Sequence, residues 1–198
     1  MAEQIAKIKT KKWYSIIAPN EFDNVLLGET LVFEPTQMIG KTIKQSLANL
    51  INDPRRQNVN INFKVIQIDG DTAKTMITSY EITPSSVKRL VRKESEKIDL
   101  SFVCETEDNV LLRIKPVIVV NVQIKGSICA KLNRNVVILL TKTIKKMKYF
   151  DVINDLITHK LQSMLKENLS KIYPLKVCEL RYVGIETKEK YREQPKEL

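Results

Sequence analysis

Val59, Ile61, Phe63 and Val65 alternate with Asn60, Asn62 and Lys64, the clearest period of two in the chain. Successive side chains of an extended strand point to opposite faces, so this pattern buries one face and wets the other. Asp69-Gly70-Asp71 then supplies a tight turn into residues 72–82, and the two runs are expected to form a hairpin. Residues 13–17 and 25–33 are rich in aromatic and β-branched side chains and are separated by Pro19 and Asn20, which predicts two earlier strands. Ile98, Leu100 and Phe102 alternate again, and Glu107-Asp108-Asn109 turns the chain into a long apolar strand over residues 110–124. Pro116 inside that run marks an edge or a bulge, because proline cannot donate to a ladder. Residues 175–185 alternate as a final strand.

Elsewhere the period changes. Ile39, Ile43, Leu47, Leu50 and Ile51 share a helical face, and Asn52, Asp53 and Pro54 would stop a helix expected over residues 38–52. Thr83-Pro84 is a start signal, a capping hydroxyl before a proline whose missing N–H costs nothing at the first helical position. The helix expected over 84–93 turns Val87, Leu90 and Val91 inward and Lys88, Arg89, Arg92 and Lys93 outward. Past Gly126, Val136, Leu139, Leu140, Ile144 and Met147 form an inward stripe opposite Lys142, Lys145, Lys146 and Lys148. Asp151 is read as the cap of a further helical region, with Val152, Leu156, Leu161, Leu165 and Leu169 in the core and Pro174 ending it, so helix is expected over 134–172. The resulting class is α+β: a mostly antiparallel β barrel or sandwich core with flanking helices and a C-terminal helical region. Residues 1–185 are read as a single domain and residues 186–198 as a charged C-terminal tail, frayed or ordered by a partner.

Charge is distributed unevenly along this pattern. Residues 1–108 carry 15 basic and 15 acidic side chains, and residues 151–198 carry nine and eight. Residues 109–150 hold nine cations, Arg113, Lys115, Lys125, Lys131, Arg134, Lys142, Lys145, Lys146 and Lys148, without one Asp or Glu. Ordinary solvated faces mix signs to limit self-repulsion, so an acid-free stretch of this length points to a polyanionic partner.

The parts of the common catalytic sites are missing. Neither GxGxxG nor GxxxxGK[ST] occurs among the five glycines, so neither standard phosphate-cradling loop is present. The lone histidine, His159, has no metal-ligand partner at a useful spacing and is given no role. Cys104, Cys129 and Cys178 are odd in number and widely spaced, which argues against a disulfide framework and a CxxC site and for reduced, packed thiols in a cytosolic protein. Met1–Lys12 lacks the apolar core of a signal peptide, and the apolar runs at 117–120 and 136–140 are too short to span a bilayer. No cofactor, metal, membrane or small-molecule substrate is expected, and the chain is not expected to be an enzyme.

Lys11-Lys12-Trp13-Tyr14, followed by Ala18-Pro19 and Phe22, resembles the opening of the small-subunit ribosomal protein family S-three-A-e, found in archaea and eukaryotes. The resemblance runs on in order through Gly28-Glu29-Thr30, Ile39-Gly40-Lys41, Ser46-Leu47, Asn52-Asp53, Phe63-Lys64-Val65, Gly70, Tyr80-Glu81, the basic run from Arg89 to Lys97, Ile98-Asp99 and Leu111-Leu112-Arg113. It returns at Lys171-Ile172-Tyr173-Pro174-Leu175, and the length of the C-terminus is similar to that of archaeal members. What the resemblance implies is a structural constituent of the small-subunit platform near the messenger exit, in the cytoplasm and within the ribosome, touching ribosomal RNA and neighbouring small-subunit proteins.

Candidate RNA contacts follow. Lys7, Lys9, Lys11 and Lys12 can neutralise phosphate beside Tyr14, whose ring can stack on an unpaired base, while Trp13 is read as a core residue of the first strand. Arg55 and Arg56 form a loop pair that either grips phosphate or is simply solvated, and Lys88, Arg89, Arg92 and Lys93 pose the same alternative on a helix softened by Glu94 and Glu96. Lys125, Lys131, Arg134, Lys142, Lys145, Lys146 and Lys148 come from the acid-free stretch, and Lys171 from the last matching block. A free RNA-binding regulator or RNA chaperone is the rival class. A peripheral membrane protein anchored by residues 142–148 is a third, against which the inward stripe of that helix argues.

Overall fold

The structure, a computed structural model, describes residues 10–186, and its contacts divide into two units, residues 1–78 and 79–198. Nine strands and five α-helices make up the described chain.

In the first unit β1 (Lys12–Ile17) pairs antiparallel with β2 (Leu26–Val32), and β3 (Thr42–Ser46) pairs antiparallel with β4 (Val59–Asp69). β4 pairs in turn with β5 (Thr72–Ile82), whose first residues also meet β1 in a short parallel ladder from Ser15↔Thr72 to Ile17↔Lys74. The alternation of β4 is realised: Val59, Ile61, Phe63 and Val65 are buried, and Phe22 packs its ring edge-on against Phe63 at 5.9 Å. Gly70 takes φ 60° in the two-residue loop between β4 and β5, a conformation that needs a residue without a Cβ. Buried Thr75 satisfies its hydroxyl by donating to the Ile17 carbonyl at 2.8 Å.

The helix expected over 38–52 is a correction. Residues 42–46 form β3, and only α1 (Leu47–Ile51) is helical. β-branched Thr42 and Ile43 suit a strand, and β4 offers an unfilled neighbour position from Asn60 to Lys64 that a free helix could not use. The helix does stop at Asn52, which turns left-handed at φ 55°, and Pro54 opens a 3-10 turn.

The second unit begins with the last residues of β5 and continues into α2 (Pro84–Leu90), β6 (Glu96–Asp99), β7 (Phe102–Glu105), β8 (Leu111–Val120), α3 (Gly126–Ile144), α4 (Tyr149–Ile157), α5 (Lys160–Ser170) and β9 (Val177–Ile185). β9 pairs antiparallel with β5 on one side and with β8 on the other, and β8 takes β6 and β7 in succession on its far side. Pro116 sits opposite a bulge and in the gap between β6 and β7, so the bulge reading holds and the edge reading does not; β8 is an interior strand. Gly184 faces Ser79, and a Cβ there would stand 2.8 Å from the Ser79 Cβ and 2.5 Å from the Tyr182 hydroxyl, so only glycine lets the strands close. Among the described residues the strands of neither unit close on themselves, which settles the barrel-or-sandwich alternative against the barrel.

Helical boundaries also differ from those read in the sequence. α2 stops at Leu90 because Val91 is already extended, and the long region over 134–172 starts earlier, at Gly126, and is three helices. Asp151 lies in the first turn of α4 without capping it. That task falls to Asp108 in the β7–β8 turn, whose carboxylate accepts from the Tyr149 N–H at 3.1 Å, while the Glu107 N–H donates to the Met147 carbonyl at 3.1 Å. Residues 187–198 of the tail lie outside the described residues.

Candidate nucleic-acid interface

α3 sorts its residues by a period of 3.6. Leu132, Val136, Leu140 and Ile144 recur every four residues and are all buried, and α5 packs against this helix and against β9. Burying one such aliphatic side chain contributes about 2 kcal/mol. Leu139 and Met147, expected in this stripe, are only half-buried, Met147 because the helix ends at Ile144, and Leu132, not expected there, completes it.

Half a turn round the helix lie Lys131, Arg134, Lys142 and Lys145, all exposed. From the first to the last the stripe runs about 21 Å at 1.5 Å per residue, long enough to face several successive phosphates. Lys125 at the start of the helix and Lys146 and Lys148 in the turn after it are also exposed. Ile138, 61% exposed, sits in the middle of the stripe, where the sequence pattern alone had offered no reason to single it out. Seven of the nine cations of the acid-free stretch therefore reach solvent. Arg113 is engaged otherwise, with its Nε 2.6 Å from the Glu186 carboxylate, and Lys115 places its ammonium over the Tyr182 ring, 5.1 Å from the centroid.

The other candidates are scattered. Lys88 and Arg89 are exposed on α2, but Arg92 and Lys93 fall in the turn beyond it, where the Arg92 N–H donates to Ser95 Oγ at 2.7 Å, so the common helical face expected for the four is not formed. Arg55 is exposed in a turn whose first N–H groups are held by Asp53, and half-buried Arg56 places its Nε 3.9 Å from the same carboxylate. Lys171 is exposed just after α5.

At the N-terminus the roles of two rings are exchanged. Tyr14 is 5% exposed, so the ring expected to stack on RNA belongs to the core of the first unit, and Trp13, expected in the core, is 64% exposed. The cause is the period of two: Tyr14, Ile16 and Ala18 all point inward, which sends Trp13 out beside its cross-strand partner Leu31. On the same outer face Lys11 lies over the Phe33 ring at 5.0 Å; Lys12, on the other face opposite Val32 at the start of the strand, is exposed. Lys7 and Lys9 lie outside the described residues.

Burial pushes the Cys104 thiol up to about 11 and the Cys178 thiol up to about 12, which keeps both protonated and inert at neutral pH. His159 occupies a left-handed break between α4 and α5 with its Nδ1 3.9 Å from Glu179. Among the described residues no group of three or more His, Cys, Asp or Glu could hold a metal ion, and no helix is long and apolar enough to cross a membrane. Exposed cations spaced along one helix are chemically suited to phosphates and offer no reading of base edges.

Comparison with known proteins returns one family. The model described as the Ribosomal S3Ae family matches residues 2–189. The chain is 31% identical over 192 residues to the small ribosomal subunit protein eS1 of Nanoarchaeum equitans, covering 96% of each chain. It is 28% identical over 190 residues to the eS1 protein of Haloarcula marismortui, covering 95% of this chain and 89% of the relative. Over 174 residues it is 29% identical to that of Saccharolobus islandicus, covering 88% and 84%.

Proposed function

This chain belongs to the Ribosomal S3Ae family, and from that membership we propose that it is a structural constituent of the small ribosomal subunit, held on the platform near the messenger exit by ribosomal RNA and neighbouring small-subunit proteins. The observation that carries the reading is the match over nearly the whole length of the chain and of relatives named for the small subunit, which a shared fragment would not give. The exposed cation stripe of α3 supports RNA as the partner, gripped through phosphates and shape. In this role the protein works in the cytoplasm, within the ribosome, and catalyses nothing.

Sedimentation of the tagged protein through a sucrose gradient tests the reading: it should travel with small subunits and whole ribosomes and stay bound through moderate salt. Recovery only from light fractions at low salt would favour the free RNA-binding regulator. A variant carrying Lys142→Gln, Lys145→Gln, Lys146→Gln and Lys148→Gln should stay folded and incorporate poorly. Its slope of log affinity against log salt on ribosomal RNA should flatten by roughly three to four, close to one for each phosphate that is no longer neutralised. An unchanged slope would remove α3 from the RNA surface.

A further inference from the structure

Along the ladder between β8 and β9, Lys115 pairs with Tyr182 but Pro116 pairs with Leu180, so Arg181 is an extra residue without an opposite number. An extra residue breaks the alternation and lets two consecutive side chains face the same side. Arg181 and Tyr182 accordingly line the same cavity, about 340 Å³ in volume. Tyr182 also pairs with Glu81 of β5, so Glu81, Tyr182 and Lys115 stand in one row across three strands. Lys97 joins from β6, and Lys88 with Val87 from α2.

Among the described residues four cations, Lys88, Lys97, Lys115 and Arg181, thus surround one concavity against a single lining carboxylate, Glu81. Lys97 already has a counter-ion, its ammonium lying 2.5 Å from the Asp99 carboxylate. Lys88, Arg181 and Lys115, the last with its ammonium over the Tyr182 ring, keep their charge, a surplus of two among the described lining residues once Glu81 is subtracted. Bringing like charges together from three separate elements costs free energy that an anion in the cavity would return. Arginine offers a planar fork to two phosphate oxygens and lysine a mobile point charge, so together they suit a phosphodiester. The volume is many times that of one water, and Ile82 and Val87 add apolar wall that fits a sugar or base.

We propose that this cavity seats one nucleotide of the RNA to which the protein binds, its phosphate drawn to Lys88, Lys115 and Arg181. The inference rests on RNA being the partner, and it adds a discrete, concave contact to the convex stripe of α3.

Binding of purified small-subunit ribosomal RNA to the full chain is measured across a salt series for three proteins: the double variant Lys115→Gln with Arg181→Gln, the single variant Lys88→Gln, and the quadruple α3 variant. Thermal melts run alongside. The double variant should bind about tenfold or more weakly with a slope flatter by about one to two, and Lys88→Gln about threefold more weakly. Lys88 is exposed, so its variant keeps the test open if the double variant does not fold. Full affinity in the folded cavity variants beside a loss in the α3 variant overturns the cavity and leaves RNA binding standing. Full affinity in all three overturns RNA recognition by either surface. In a separate arm, uridine monophosphate, hexauridylate and inorganic phosphate are titrated while the Tyr182 amide resonance is followed. Hexauridylate should shift it and ribosomal RNA should compete; a shift by the mononucleotide that RNA does not displace means a free-nucleotide site and overturns the proposal.

Discussion

Among the described residues the first unit exposes eight large apolar side chains, Trp13, Val25, Leu26, Leu31, Phe33, Ile39, Ile51 and Ile66, and the second exposes three, Val122, Ile138 and Phe150. Charge divides the other way: residues 1–78 carry ten basic and eight acidic side chains, and residues 79–198 carry 23 and 15. Each unit has its own core, built on β4 in one and on β8 and the helical stripes in the other, so the contrast is one of surface. Apolar packing is nearly indifferent to dilute salt, whereas the grip on phosphate weakens steeply with it. Salt is therefore the variable that tells the two surfaces apart.

The largest effects should come from the cores and should not discriminate between the surfaces. Phe63→Ala in the first unit and Ile144→Gln in the second should each cost about 3–5 kcal/mol, the first by opening a cavity and the second by burying an amide without partners. Urea melts give the loss, and hydrogen exchange shows how far it spreads from each core. If Ile144→Gln weakened RNA binding at unchanged stability, the inward and outward faces of α3 would have been assigned the wrong way round.

Asp108→Ala should act at the next level down. Removing the bond to the Tyr149 N–H should cost about 1 kcal/mol, as for other helix caps, and loosen the turn that carries Lys146 and Lys148. The melting temperature should fall by a few degrees for a chain of this size. Affinity for RNA should drop modestly with it, and a drop with no change in melting would mean that Asp108 acts on the RNA surface directly.

Trp13→Ala should be the mildest, changing stability by no more than about 0.5 kcal/mol because the ring is mostly in solvent. It should also leave the salt slope of RNA binding unaltered. A flattened slope would show that the outer face of β1 and β2 takes part in binding phosphate, and the division between the units would fail.

How much of this could be read from the residues depended on whether the signal was local. The β4–β5 hairpin was legible because alternation and turn chemistry lie within one stretch, and the start of α2 because Thr83 and Pro84 are adjacent, although the Thr83 hydroxyl donates to Ser86 Oγ and does not cap the helix. The segment at 39–51 misled, since five apolar residues fit a helical face while the strand that claims it, β4, begins eight residues later and enters no helical periodicity. Trp13 was legible in principle: the inward set Tyr14, Ile16 and Ala18 leaves it nowhere but outside, and strand position outranks the general tendency of a large ring to be buried. The acid-free stretch announced the stripe of α3, although Ile138 needed the helix phase to be found. The cavity beside Arg181 was not legible, because a bulge depends on the register of two strands some sixty residues apart.

The order in which strands appear along the chain has a consequence for how the second unit comes together. β9, the last of the described strands, goes between two that precede it, pairing Ser79 with Gly184 across more than a hundred residues and running along most of β8. Until β9 inserts, the end of β5 and one whole side of β8 are open edges, able to accept a strand from another molecule. Closure over such separations is slow, because the entropy of the loop is given up before the strands can pair. A chain in which β9 had not yet docked would carry the run from Val117 to Val120, buried in the native fold, on a half-paired strand open to aggregation.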